Sequence, residues 1–141
     1  MLALSDTRIC ASSEKSLAAV REVEKFALEQ PQLDITTIHA FHAGMYARTI
    51  MVPAGAMITG ALIKIPTLLI LSGDASVIID GEEVRISGYG VIPAAAGRKQ
   101  VFLAHSDTYL TMVFATSATT IEEAEMEFTD EFDLLGSRRE K

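Results

Sequence analysis

The sequence has one cysteine, no tryptophan and four prolines. A lone thiol at Cys10 excludes an intrachain disulfide and fits a reducing, cytoplasmic setting. Nothing around Cys10 marks it as a nucleophile, and no serine sits in a strand-turn-helix elbow. Positive charge is also scarce. Twelve Lys and Arg stand against nineteen Asp and Glu, a net charge of −7, which repels phosphate backbones, so nucleic acid is not expected as a partner. No apolar run reaches the roughly 20 residues that cross a bilayer, because Thr59, Lys64, Ser72 and Asp74 interrupt the richest region. The first residues lack the basic start and apolar stretch of a secretory leader, and none is expected. A phosphate-binding glycine loop is missing too, since Gly88-Tyr89-Gly90 is not followed by a helix that would offer free amides.

What remains is apolar and turn-rich. Of 141 residues, 49% are hydrophobic and 22% charged, enough for one well-buried domain over residues 1–141. From Val52 to Gly97, short β-rich runs alternate with glycine and proline at intervals too tight for helices. Residues 34–42 and 45–52 read as strands joined across Ala43-Gly44. Extended segments follow at 56–64, 68–71 and 75–80, with Pro66 and Ser72-Gly73-Asp74 as breaks. Asp80-Gly81 is a strong hairpin signal leading into 83–86, Gly88 and Gly90 punctuate the next stretch, and strands at 100–105 and 109–116 complete the series. The chain is therefore expected to be mainly β, a small barrel or jelly roll over about 35–116.

Two helices flank it. Residues 13–30 place Val20, Val23, Phe26 and Ala27 on one face, with a serine cap and Pro31 as the stop. Residues 120–128 open with capping-box spacing, Thr120 with Glu123 or Thr119 with Glu122. There, Glu122, Glu123, Glu125 and Glu127 read as a solvated face, Phe132, Leu134 and Leu135 as docking residues, and 136–141 as a fraying tail.

Pro53-Ala54-Gly55, Leu71-Ser72-Gly73, Ile79-Asp80-Gly81, Gly88 and Pro93 to Gly97 together resemble the cupin superfamily, in order and strand for strand. In particular the chain is similar to small single-domain cupin-like proteins of phages and prophages, where an aromatic-Arg strand like Tyr46-Ala47-Arg48 precedes Pro-Ala-Gly. That likeness implies a cupin-type barrel, a homodimer, and a cytoplasmic or phage-encoded intracellular setting. Metal-binding cupins carry His-any-His, then Glu, after the first glycine, and a further His after the second turn. The matching positions here are Ala61, Ile63, the Pro66 to Leu68 segment and Gln100, which cannot hold a divalent ion.

No cofactor, metal or catalytic residue is therefore expected, and the favoured function is a metal-free binding or assembly module. The resemblance directs Ala61, Ile63, Gln100, Met112 and Phe114 into the barrel interior, and Tyr46, Arg48 and Lys64 add polar handles to this candidate ligand pocket. A cofactor-free enzyme, or a sensor of a small anion or a sugar, using Tyr46, Arg48, Lys64 and Gln100 is also open, since Arg48 and Lys64 could clamp an anionic ligand. The alternative is a metal enzyme with a displaced site built from His39, His42 or His105; on a strand, His39 and His42 point to opposite faces, which disfavours it.

Overall fold

A computed structural model describes residues 7–135. The elements run α1 (Glu14–Leu28), β1 (Thr37–His42), β2 (Met45–Val52), β3 (Met57–Thr59), β4 (Thr67–Ile79), β5 (Glu82–Ala94), β6 (Val101–Ala104), β7 (Thr108–Ala115), α2 (Ile121–Phe128) and a 3-10 turn (Phe132–Leu134). All seven strands belong to one antiparallel sheet in the order β1-β2-β7-β4-β6-β3, with β5 on the other edge of β4. The protein is mainly β, a sheet curled into a barrel and flanked by two helices. No helix among the described residues is long and apolar enough to cross a membrane.

Both tight hairpins lie where the turn residues place them. Ala43 and Gly44 have φ of 52° and 73°, and Asp80 and Gly81 have 49° and 85°, the positive pair that a two-residue turn between twisted strands requires. Ser72-Gly73-Asp74, by contrast, is not a turn. β4 runs through it, pairing Leu68–Ser72 with β7 and Ala75–Ile78 with β6, while β5 follows its whole length. At Gly73 the strand changes partner and the sheet folds over. A Cβ there would stand 2.5 Å from the Thr108 hydroxyl oxygen and 2.7 Å from the Thr108 Cα, so glycine permits a close backbone approach. Gly88, opposite Gly73, likewise lies inside β5 instead of ending it. The expected strand over 56–64 shrinks to β3 plus a bridge from Ile63 to Arg98.

α1 begins on the Ser13 hydroxyl, which accepts from the Ser16 amide at 3.1 Å, and ends at Leu28, two residues short of its expected end. Val20 is buried, but Phe26 is 60% exposed, because the face that packs runs through Ser16 and Val20 and stops short of the last turn. α2 opens on the expected cap, Thr120 accepting from the Glu123 amide. Its acidic run is not wholly solvated: Glu125 is fully buried against Arg48 at 2.8 Å. Ala124 and Phe128 of α2, with Leu135 behind them, pack on Tyr46, Met112 and Phe114 and close the open side of the barrel. A second cluster, including Val52, Leu69, Leu71, Val77, Ile92 and Leu110, fills the other end. The tail 136–141 lies outside the described residues.

Candidate ligand-binding site

Between these two clusters the barrel interior holds a cavity of about 370 Å³. Strand alternation builds its wall: Arg48 and Ile50 point inward from β2, Leu69 from β4, Leu110 and Met112 from β7. The run Arg98, Gln100, Phe102 contributes every second residue of the segment entering β6. At the mouth, α1 and the chain that follows it present Phe26, Leu28 and Leu33, which are 60%, 47% and 53% exposed. The lining is largely apolar.

Three charged side chains reach the lining: Glu24, Arg48 and Arg98. Glu24 pairs with Lys99 at 2.8 Å, and Lys99 also meets Glu131 at 2.8 Å, which in turn binds Arg21 at 2.9 Å. Two cations and two anions balance in that network. Arg48 is matched by Glu125 and lies 5.5 Å from the centre of the Phe128 ring. Arg98 is different. Its guanidinium donates to the Ala95 carbonyl at 2.8 Å, the Thr67 hydroxyl at 2.6 Å and the Ile65 carbonyl at 3.4 Å, and no carboxylate among the described residues lies within 4.0 Å of it. It is 4% exposed, and burial pulls its pKa down to about 10, so the cation persists at neutral pH. Gln100 donates to the Ile78 carbonyl at 2.6 Å while its buried Oε1 has no hydrogen-bond partner.

No protein-family model matches the chain, and no curated protein does. Among solved structures, KdgF from Halomonas sp. superposes with a TM-score of 0.51 at 16% identity, covering 63% of this chain and 84% of that one. The chain shares the fold of that protein. A Cupin 2 conserved barrel domain protein from Salinispora arenicola also matches, at TM-score 0.49 and 13% identity over 64% of this chain and 84% of that one. So does a Streptococcus pyogenes protein of unknown function, at 0.46 and 19% over 62% and 80%.

Within this barrel, the positions where the sequence resemblance expects metal ligands supply no ligating set. Ala61, Ile63 and Gln100 all line the cavity, and Gln100 Oε1 is a single neutral oxygen. No group of three or more His, Cys, Asp or Glu side chains among the described residues is placed to hold a metal ion. The histidines are committed elsewhere: His39 Nδ1 shares a hydrogen bond with the Tyr46 hydroxyl at 2.6 Å, and His105 Nε2 with Ser76 at 2.7 Å. His42 ends β1 on the outer face. Burial, with Arg48 nearby, holds His39 below its ordinary pKa, and burial raises Tyr46 above its own.

Of the candidate pocket residues, Arg48, Ala61, Ile63, Gln100 and Met112 line the cavity. Tyr46, Lys64 and Phe114 lie outside its lining. Tyr46 packs edge-on against Phe114 at 5.4 Å, and Lys64 pairs with Asp130 at the surface. Arg98 is the residue that sequence reasoning missed. The signal was its place two residues before inward-facing Gln100, which puts both on one face of an extended segment.

Proposed function

We propose that the chain is a non-catalytic binding module that takes one small organic molecule into its cupin barrel without a metal ion. The observation that supports this reading is the 370 Å³ cavity, within the usual size of a small-molecule site, lined by apolar side chains with few polar groups. Screening thermal stability against organic acids, alcohols, amines and sugars tests it. A ligand at a hundredfold excess over Kd should add about 2.7 kcal/mol of stability, and Ala61→Phe, which fills the cavity, should abolish that gain. Failure of every class to stabilise the protein overturns the reading. So does stoichiometric iron, manganese, nickel or zinc that is lost in His39→Ala or His105→Ala, which would favour the displaced-site enzyme.

We also propose that the protein works as a homodimer in the cytoplasm, and one surface supports the pairing. Register places on one outer sheet face Ile38 of β1, Thr49 and Met51 of β2, Tyr109, Thr111 and Val113 of β7, Leu68 and Ile70 of β4, and Tyr89 and Val91 of β5. Over the half of this face that lies on the β7 side of Gly73, the outward positions carry no Asp, Glu, Lys or Arg; charge returns beyond it, at Asp74 of β4 and at Glu83 and Arg85 of β5. A solvated sheet face ordinarily alternates to charged residues, and α1 covers only the opposite half of the sheet, near β3. In a chain of net charge −7, an uncharged face is where two copies meet without repulsion. Five strands span about 24 Å across, a footprint on the scale of the roughly 800 Å² per partner of a standard interface. Light scattering should give twice 15.2 kDa, falling to the monomer in Ile38→Glu/Thr111→Lys. A wild-type monomer overturns the pairing.

A further inference from the structure

We propose that the cavity's ligand is an apolar carboxylic acid, its carboxylate held by Arg98 and its hydrocarbon body lying toward the mouth at Phe26, Leu28 and Leu33. The proposal rests on the binding reading above and names the chemical class.

Charge matching carries it. A buried cation without a partner is costly, and proteins that retain one either pair it or use it. The other charges that reach the cavity are matched within the protein, Arg48 by Glu125 and Glu24 by Lys99. Among the described residues, Arg98 alone brings a charge to the lining with no carboxylate paired to it. Its terminal N–H groups already donate to the neutral oxygens of Thr67, Ala95 and Ile65, so a carboxylate is drawn by the uncompensated charge and gains a charge-assisted bond by replacing one of these acceptors. An anion bound there neutralises the site, whereas a cation or a neutral molecule leaves the guanidinium unmatched.

The rest of the lining selects the body of the ligand. A polyhydroxylated acid needs a partner for each hydroxyl or loses the hydrogen bonds it made in water. Most of the wall is instead apolar, including Ile50, Ala61, Ile63, Leu69, Leu110 and Met112, against the two hydroxyls of Thr37 and Thr59. Gln100 Oε1, buried and without a partner, accepts one donor and no more than two. It suits the single hydroxyl or N–H of a substituted acid, or the proton of a carboxylic acid in its neutral form. Three exposed apolar side chains at the mouth extend the same surface outward and leave room for a chain longer than the cavity.

Calorimetric titration of the full chain with octanoate, octan-1-ol, octylamine and glucuronate, all well below any micelle concentration, tests this directly. Octanoate should bind at least tenfold more tightly than octan-1-ol, and octylamine and glucuronate at least tenfold more weakly than octanoate. Arg98→Met should reduce octanoate to the level of octan-1-ol without weakening the alcohol, while Arg98→Lys should recover part of the preference. If octan-1-ol matches octanoate, or glucuronate exceeds it, with Ala61→Phe still blocking both, the carboxylate assignment falls and the binding reading stands. Octanoate affinity unchanged by Arg98→Met also overturns the assignment. Failure of all four probes to bind overturns it, and failure of the wider panel as well removes the binding reading with it.

Discussion

Replacing Glu131 with glutamine removes the carboxylate that joins three parts of the fold. Its Oε1 accepts from the Leu62 amide at 2.9 Å and from Lys99 at 2.8 Å, and its Oε2 accepts from Arg21 of α1 at 2.9 Å. Partial burial alone would raise its pKa, but these donors outweigh burial and bring it from 4.5 to about 2. A depressed carboxylate stabilises the fold above its unfolded pKa, and that contribution disappears as pH falls from about 4.5 toward 2. Some 2.5 pKa units correspond to at most about 3.4 kcal/mol at 1.36 kcal/mol per unit. Arg21 is 44% exposed, so solvent screening reduces the expected figure to about 2 kcal/mol. Urea denaturation of wild type and Glu131→Gln at pH 7 and at pH 2.5 reads the difference. At pH 7 the variant should be weaker by about 2 kcal/mol, or roughly 6–8 °C in Tm for a domain of this size, and the gap should narrow sharply at pH 2.5. An equal gap at both values refutes the reasoning, because the loss would then owe nothing to ionisation.

Arg48→Met leaves Glu125 buried without its cation and should cost about 3 kcal/mol or more by denaturation, whereas Arg48→Met/Glu125→Leu should recover much of that loss. A double variant as weak as the single one would mean that the pair contributes packing rather than charge compensation. Gly73→Ala and Gly81→Ala both place a Cβ at positive φ, but only the first drives it into the backbone of Thr108. By thermal melting, Gly81→Ala should lose about 1 kcal/mol and Gly73→Ala clearly more; equal losses would show that the close approach at Gly73 is relieved at little cost.

Much of the barrel was legible because its signals are local. Asp80-Gly81 and Ala43-Gly44 need only their own dihedral angles to make hairpins, and Ser13 and Thr120 cap helices through amides three residues on. Gly73 misled because a glycine between polar residues serves equally as a turn or as a bare backbone surface, and the choice depends on Thr108, far along the chain. Glu125 was read as solvated for a similar reason: its neighbours Glu122 and Glu123 are exposed, and the cation that draws it inward lies on β2. At the site, the interior positions Ala61, Ile63 and Gln100 followed from the family resemblance. Arg98 did not, because Gly97-Arg98-Lys99 has the composition of a surface loop, and both cations are buried only through tertiary contacts.

The partner change of β4 at Gly73 also fixes an order of assembly. β4 and β5 pair along thirteen positions across a two-residue turn, so this long hairpin closes its ladder with almost no loop to order. β1 and β2 form a second local hairpin, yet β2 reaches the rest of the sheet only through β7, more than fifty residues later. Until Thr108–Ala115 has been laid between them, the two hairpins have no shared edge. β7 is thus the strand whose arrival turns two separate ribbons into one barrel, and substitutions in it should slow folding more than equally destabilising ones in β1.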